Sequence, residues 1–270
     1  MKAHSTVSPV AYLATNDAIL HEVRDGVLHI TFNRPERRHA LTFDMYLALA
    51  WLFTMAAETP AVRVVLLSGA DGYFSAGNDL NDFIEFSAEN EFVPAHFLRA
   101  LARCDKPVVA AVEGGAIGIG ATMLLHCDVV YAGASTTFLM PFIHFGLCPE
   151  GASSLLVPRD AGYKQAVRWL MLGEQFGAAD ACTAGIITQV VPDGDAMEHA
   201  ARATQRFMAF DPKALQLTKR LMRTAPASID EVIEQECKRF AQLLASPVAQ
   251  AAIRNFARRT PRALDPAVQP

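Results

Sequence analysis

Residues 106–122, KPVVAAVEGGAIGIGAT, change from an apolar β-branched run to a turn with four glycines, and the MLLHC that follows has helical spacing. The pattern predicts a strand, a tight turn and a helix. Glycine lets the backbone approach another group closely, and a helix start presents unpaired N–H groups. The stretch therefore favours a site for an anion, or for an oxygen that becomes one.

A second stretch, residues 64–80 (VVLLSGADGYFSAGNDL), has the same form, with an apolar strand, a loop of small residues and a polar opening to a helix. Two such turns could supply two converging backbone donors. The same pattern also joins ordinary α/β units that bind no ligand. A dinucleotide fingerprint fits less well, because Gly115, Gly118 and Gly120 read G-x-x-G-x-G rather than G-x-G-x-x-G.

Composition limits the class of protein. The chain has 270 residues, 51% of them hydrophobic, which suits one large domain or a core domain with a smaller appendage. We predict a flexible leader (1–17), an α/β core (18–195) and a helical C-terminal region (196–270). The net charge of -4 argues against a nucleic-acid surface, although a basic cluster could meet a phosphate or simply be solvated. That cluster contains Arg254, Arg258, Arg259 and Arg262.

Cysteine and histidine spacing argues against disulfide and metal chemistry. The five cysteines are odd in number and have no CxxC spacing, so we expect buried thiols in a reducing compartment. His126, His144 and His199 each have no partner at ligand spacing, and no metal site is predicted. Neither a signal sequence nor an apolar run long enough to span a membrane is present, and the expected location is the cytoplasm.

Along the chain, strand and helix signals alternate. Strands are expected within 19–33, at 64–67, 106–112, 129–131, 137–139 and 186–191, and helices at 43–58, 93–104, 162–172, 178–184, 195–209, 212–224, 228–245 and 247–257. Alternation of strand and helix implies right-handed crossovers and a parallel sheet. In the C-terminal third, an apolar stripe from Ile229 to Leu244 suggests a cap or an oligomerisation element.

One carboxylate stands out. Glu150 lies between Pro149 and Gly151 in the otherwise apolar segment HFGLCPEGASS. A carboxyl group in such surroundings can have a raised pKa and act as a base and then as an acid. The alternative is a carboxylate that only satisfies the N–H groups of a following helix. No G-x-S-x-G motif is present, which argues against a simple hydrolase.

Together, FSAGNDL, GGAIGIGA and MPFIHFGLCPEG resemble the crotonase superfamily, the enoyl-CoA hydratase/isomerase family, over residues 18–258. Within it the motifs are most similar to the peroxisomal-type Δ3,Δ2-enoyl-CoA isomerases. The resemblance implies an α/β fold, a crotonase-like spiral of ββα units, with a helical C-terminal trimerisation region. It also implies a homotrimer or homohexamer and an acyl-CoA substrate, with no separate cofactor because coenzyme A is part of the substrate.

The resemblance further implies that the thioester oxygen accepts hydrogen bonds from the backbone amides of Asn78 and Ile119. Enolisation puts negative charge on that oxygen, so two preorganised donors stabilise the transition state by several kcal/mol. Arg38 and Ala40 match positions near the coenzyme A pyrophosphate and adenine, while His39 replaces a common asparagine and has no assigned role. The full set of implied substrate-binding residues is Arg38, Ala40, Ala76, Asp79, Leu80, Gly118, Thr122, Phe142 and Phe256.

Departures from the family pattern favour some reactions of the family over others. Hydratases of the family hold water with two glutamates, and the matching positions are Thr122 and Phe142, neither of which exchanges protons. Glu150 matches the isomerase base. The favoured hypothesis is therefore a single-carboxylate isomerase acting on 3-enoyl-CoA. A hydratase or other crotonase reaction, and a non-catalytic acyl-CoA-binding scaffold, stay open as alternatives. Apolar residues on either side of these motifs could line an acyl pocket or belong to the core: Leu80, Phe83, Phe86, Ile143, Phe145 and Leu147.

Overall fold

The computed structural model describes Leu13 and the ranges 16–83 and 92–223 of the chain. Two units are distinguished, Met1–Ala209 and Phe210–Pro270. Of the second, the structure describes residues up to Arg223, which include one helix, Pro212–Arg223. Several predicted features lie outside the described residues: Phe86, Cys237, Phe256, the helices at 228–245 and 247–257 with their apolar stripe, and the arginine cluster.

The main sheet of the first unit is mostly parallel, as the alternating pattern predicts. Its strands are β1 (Ile19–Arg24), β2 (Val27–Phe32), β3 (Val64–Gly69), β4 (Val108–Val112), β6 (Val129–Gly133) and β9 (Gln189–Val191). β1 and β2 form an antiparallel hairpin, with Ile19 opposite Phe32. From β2 onward every pairing is parallel, in the order β1-β2-β3-β4-β6-β9.

A second sheet of three short strands carries the glycine turn beside the main sheet. It contains β5 (Gly115–Ile117), β7 (Thr137–Leu139) and β8 (Phe176–Gly177). β5 pairs parallel with β7, and β7 pairs antiparallel with β8. The first two glycines of the 114–120 turn therefore lead into a strand, and the helix starts only after Gly118.

Helices connect the strands. They are α1 (Phe43–Glu58), α2 (Pro94–Ala102), α3 (Ile119–Thr122), α4 (Ser153–Ala161), α5 (Tyr163–Ala166), α6 (Ala178–Thr183), α7 (Ala196–Met208) and α8 (Pro212–Arg223). α5 continues as a π-helical turn, Val167–Met171. Short 3₁₀ turns lie at Pro35–Arg37, Leu80–Phe83, Met123–His126 and Pro141–Phe145.

α1 has defined signals at both ends. The Thr42 hydroxyl accepts a hydrogen bond from the Met45 amide at 3.3 Å, as an N-cap does. At the other end, the buried ammonium of Lys106 donates to the carbonyls of Ala56, Thr59 and Val62. Those carbonyls lie in or just beyond the last turn of α1, where helix carbonyls lack intrahelical donors. The ammonium of Lys106, in the loop before β4, therefore supplies the missing donors at the end of the helix.

Both faces of the central strands β3 and β4 are buried, which is typical of a parallel sheet. One face contributes Leu28, Ile30 and Phe32, each fully buried, to the larger core with α1. The opposite face contributes Val64 and Leu66, among others, and is covered by the small side chains of α7: Ala196, Ala200 and Ala203.

Three sequence predictions differ from the structure. α4 was not predicted, and it contains Pro158. The strand expected at 186–191 is limited to Gln189–Val191, because the preceding residues turn out of α6. Cys148, expected to be buried, is exposed, although all four cysteines that the structure describes are free thiols.

Within the described ranges, no three metal-binding side chains come together. In the same part of the chain, no helix combines the length and apolar character needed to cross a membrane.

Candidate active site

The two glycine-containing loops lie against each other. The Ser75 amide donates to the Gly115 carbonyl at 3.0 Å, and the Ile117 amide donates to the Ser75 carbonyl at 2.9 Å. These bonds join the 70–79 loop to β5 as a short parallel bridge between Ser75 and Ala116. The sequence prediction that both turns point into one space is consistent with this arrangement.

Gly77 and Gly118 meet where the loops are closest. Both have positive φ, 88° and 56°, a backbone region that side chains rarely adopt. A Cβ placed on Gly77 would lie 2.6 Å from the Ile117 carbonyl oxygen, and one placed on Gly118 would lie 4.0 Å from the Gly77 Cα. The approach of the two loops therefore requires glycine at position 77.

The residues that follow these glycines carry the two predicted donors. Among the described residues, neither the Asn78 amide nor the Ile119 amide donates a hydrogen bond to a protein acceptor. Each amide directly follows one of the two glycines at which the loops approach each other. An unpaired buried N–H is costly unless a ligand oxygen accepts from it, and Ile119 is fully buried.

The side chain of Asn78 is held by a hydrogen bond from Tyr46. The Tyr46 hydroxyl, on α1, donates a short hydrogen bond to Asn78 Oδ1. Tyr46 is fully buried. Its pKa is raised well above the usual value, first by burial and then by the charges of Glu150 and Asp82. The Glu150 carboxylate is thus close enough to influence the phenol that holds Asn78.

Residues 38–41 pair with the first glycine loop. The Ala76 amide donates to the Arg38 carbonyl, and the Leu41 amide donates to the Gly77 carbonyl. The Arg34 guanidinium lies 3.2 Å from Asp79 and also donates to the Ala40 carbonyl. Burial alone would raise the pKa of Asp79, but hydrogen bonds from Asn81 and Arg34 outweigh it, and the pKa is lowered.

His39 has a structural position that the sequence did not indicate. It is fully buried, and its Nδ1 accepts from the Arg34 amide at 2.8 Å. Its Nε2 lies 3.0 Å from the Ala70 carbonyl, which can only accept, so Nε2 carries the hydrogen. The ring therefore fixes the 34–41 loop from inside, while Arg38 is exposed and stacks over Tyr73 at 5.7 Å.

Glu150 is the carboxylate of the site. Its Oε1 accepts a hydrogen bond from the Thr122 hydroxyl at 2.9 Å, and its buried Oε2 has no hydrogen-bond partner among the residues that the structure describes. Burial raises the pKa of Glu150 from 4.5 to about 7, against the opposing effect of the Thr122 bond. Such a group exchanges protons readily near neutral pH.

The backbone at Glu150 is also tied down. The Ser153 hydroxyl donates to the Glu150 carbonyl at 2.6 Å, and His126 Nε2 lies 2.8 Å from the Gly151 carbonyl. Neither residue was singled out as part of the site from the sequence. A Ser three residues after the carboxylate, ahead of a helix, was the signal that could have identified the first.

The remaining predicted residues occupy different environments. Phe142 is buried, whereas Leu80 is exposed. Ile143 and Leu147, considered for an acyl pocket, are exposed and line an apolar cavity of about 480 Å³ on the surface, together with Tyr163 and Met171. Cys148 and Pro149, which directly precede Glu150, also line that cavity, whereas Glu150 itself does not.

Comparison with known proteins finds a matching family and similar chains. The family described as Enoyl-CoA hydratase/isomerase matches residues 22–263. Enoyl-CoA delta isomerase 2 of Rattus norvegicus is 32% identical over 252 residues, which cover 90% of this chain and 64% of that protein. The 1,2-epoxyphenylacetyl-CoA isomerase of Escherichia coli K12 is 36% identical over 218 residues, covering 77% of this chain and 82% of that protein.

Solved structures show the same fold. A structure from Magnetospirillum magneticum AMB-1, assigned to enoyl-CoA hydratase/carnithine racemase, has a TM-score of 0.88 and 40% identity, covering 92% of this chain and 98% of that one. An enoyl-CoA hydratase from Polaromonas sp. JS666 has a TM-score of 0.81 and 30% identity, covering 90% and 98%. The crotonase-like α/β architecture expected from the motifs is confirmed. Both isomerases and hydratases are among the similar proteins.

Proposed function

Because the chain belongs to the enoyl-CoA hydratase/isomerase family, whose members act on acyl-CoA thioesters, we propose that it is a Δ3,Δ2-enoyl-CoA isomerase. In this reaction the double bond of a 3-enoyl-CoA moves to C2. The observation that carries the proposal is the carboxylate of Glu150, whose pKa burial raises to about 7. We further propose that no cofactor is needed and that the enzyme is a homotrimer or homohexamer.

The proposed reaction needs one base. Glu150 removes a proton from C2 of the substrate, and negative charge develops on the thioester oxygen. The free amides of Asn78 and Ile119 donate to that oxygen and stabilise the dienolate. Glu150 then returns the proton at C4, which completes the shift of the double bond with no net gain or loss of atoms.

The pKa supports both halves of this cycle. A carboxyl group with a pKa near 4.5 would be a weak base toward a carbon acid. Raised to about 7, Glu150 accepts the proton more readily and still releases it in the second step. Thr122 and Phe142 add no second carboxylate, which favours isomerisation over the addition of water.

Substrate preference tests the proposal directly. Purified protein is given a 3-enoyl-CoA or a 2-enoyl-CoA, and the absorbance of the conjugated enoyl thioester is followed. We expect that absorbance to appear from the 3-enoyl substrate faster than it is lost from the 2-enoyl substrate. Preferential loss would indicate a hydratase. Tight binding of both without turnover would indicate a scaffold.

A variant tests the assigned base. Glu150→Gln keeps the shape and removes the base, so turnover should fall at least about 100-fold while affinity for acyl-CoA stays within a few fold. Glu58→Gln, an exposed position at the end of α1, is the matched control and should keep wild-type turnover. Near-normal turnover by the Glu150 variant would show that another group acts as the base.

A further inference from the structure

The contact between Thr122 and Glu150 is the most informative side-chain bond of the site. The Thr122 hydroxyl donates to Oε1 at 2.9 Å, and Thr122 is fully buried. The second carboxylate oxygen, Oε2, is buried and has no hydrogen-bond partner within the described part of the chain. The two oxygens of one carboxylate are therefore not equivalent.

We propose that Thr122 is a positioning residue for the base: its hydroxyl holds Oε1 and leaves Oε2 as the oxygen that exchanges the proton. This rests on the proposed function and specifies how the site performs it. A carboxylate free to rotate about its last torsion would present either oxygen, because that torsion is broad and roughly two-fold. With Oε1 held by Thr122, the lone pairs of the buried Oε2 stay free to accept the substrate proton.

Two other side chains near Glu150 bind its backbone rather than its carboxylate. Ser153 holds the Glu150 carbonyl and His126 holds the Gly151 carbonyl, so both act on the backbone. Among the described residues, Thr122 alone makes a hydrogen bond to the carboxylate itself. Control over which oxygen reacts thus falls to one hydroxyl.

Thr122 also links the base to the oxyanion donors. It is the last residue of α3, and Ile119, which carries one of the free amides, is the first. One turn of helix therefore presents an amide at one end and the hydroxyl that orients the base at the other. The separation of the oxyanion site from the base is set within a four-residue element.

Burial and one hydroxyl shift the pKa of Glu150, and other titratable groups lie near it. Burial acts first and raises its pKa, and the Thr122 hydroxyl acts in the opposite direction. The buried Tyr46 of α1 interacts with the Glu150 charge, as does Asp82 with Tyr46. His126, from the turn after α3, contacts the neighbouring carbonyl. Of these groups, the Thr122 hydroxyl is the one that bonds to the carboxylate, and it can be removed without changing a formal charge.

The test compares Thr122→Val with Thr122→Ser. Valine keeps the branched shape and removes the hydroxyl, while serine keeps the hydroxyl. In Thr122→Val the acid limb of the kcat/KM profile should move up by about one pH unit, because the charged base loses one hydrogen bond. Its kcat on the alkaline plateau should fall about tenfold, with KM within about twofold, because the carboxylate is less well oriented. Thr122→Ser should keep the wild-type limb.

Thr136→Val is the matched control. Thr136 is also buried, but its hydroxyl donates to the Val112 carbonyl at 3.3 Å, away from the carboxylate. Thr136→Val also removes a buried hydroxyl, but it should leave the acid limb of the kcat/KM profile at the wild-type pH. An acid limb that does not move in Thr122→Val, or that moves equally in Thr122→Ser or Thr136→Val, would overturn the proposal.

A second measurement does not depend on turnover. The stability lost in Thr122→Val should be greater at pH 8, where Glu150 is charged, than at pH 5, where it is protonated. Equal losses at both pH values would contradict the role of Thr122. This outcome is separate from failure of the proposed function, which a wild-type protein without isomerase activity would show by itself.

Discussion

Burial of Glu150 has a consequence for stability that can be measured without substrate. Its pKa in the folded protein is about 7, against 4.5 for the exposed group. The folded state therefore keeps a proton at pH values where the unfolded chain has lost it. Stability from this group is complete below pH 4.5 and decreases as the pH rises toward 7 and beyond. Glu150→Gln, which has no charge at any pH, removes this dependence.

The size of the effect follows from the pKa difference. The two values differ by about 2.5 units, and each unit corresponds to about 1.4 kcal/mol, so the deprotonated carboxylate costs about 3 kcal/mol at pH 8. We expect Glu150→Gln to be about as stable as wild type at pH 4.5. At pH 8 it should be more stable by about 2–3 kcal/mol, even though it is inactive.

Urea unfolding at fixed protein concentration measures this difference. Trp169 is fully buried and stacks on Phe176, so its fluorescence reports on the unit that contains Glu150. Glu58→Gln serves as control and should leave the stability difference between the two pH values as in wild type. If Glu150→Gln and wild type lose the same stability between pH 4.5 and pH 8, the carboxylate is not desolvated, and the raised pKa is refuted.

Two further predictions concern the glycine contact and the assembly. Gly77→Ala should reduce turnover at least about tenfold and stability by more than about 2 kcal/mol, because its Cβ would meet the Ile117 carbonyl. Gly72→Ala, which also has positive φ but open space around it, should cost only the left-handed backbone penalty of about 1–2 kcal/mol and keep activity; equal effects on turnover would contradict the role of the contact. Light scattering at micromolar concentration should give a trimer or hexamer mass, and a monomer mass would exclude the proposed assembly.

Features determined locally were predictable from the sequence. α1 has the predicted bounds, 43–58, because a threonine cap and helical periodicity both lie within the segment itself. The strand at 64–67 was also predicted and extends two residues further. The parallel order followed from alternating strands and helices, for which few connections are sterically allowed.

Features determined by partners distant in sequence were not predictable. α4 begins after Ala152 in a left-handed conformation without a side-chain cap, and it contains Pro158, so no local signal announces it. The β5 strand is three residues long and exists through its pairing with β7. The bond between Thr122 and Glu150 joins residues 28 positions apart, and neither residue type implies the other.

Because α3 is a single short turn, we expect the effects of Gly77→Ala and Thr122→Val on turnover to be coupled. Ile119 and Thr122 lie at opposite ends of one helical turn, and Gly118 ahead of it touches Gly77. A shift of this turn would move the amide donor and the hydroxyl that orients Glu150 at the same time. Losses from Gly77→Ala and Thr122→Val should therefore not add in the double variant, since residues that share one structural element couple. Full additivity in log kcat would indicate that the oxyanion donors and the base are positioned independently.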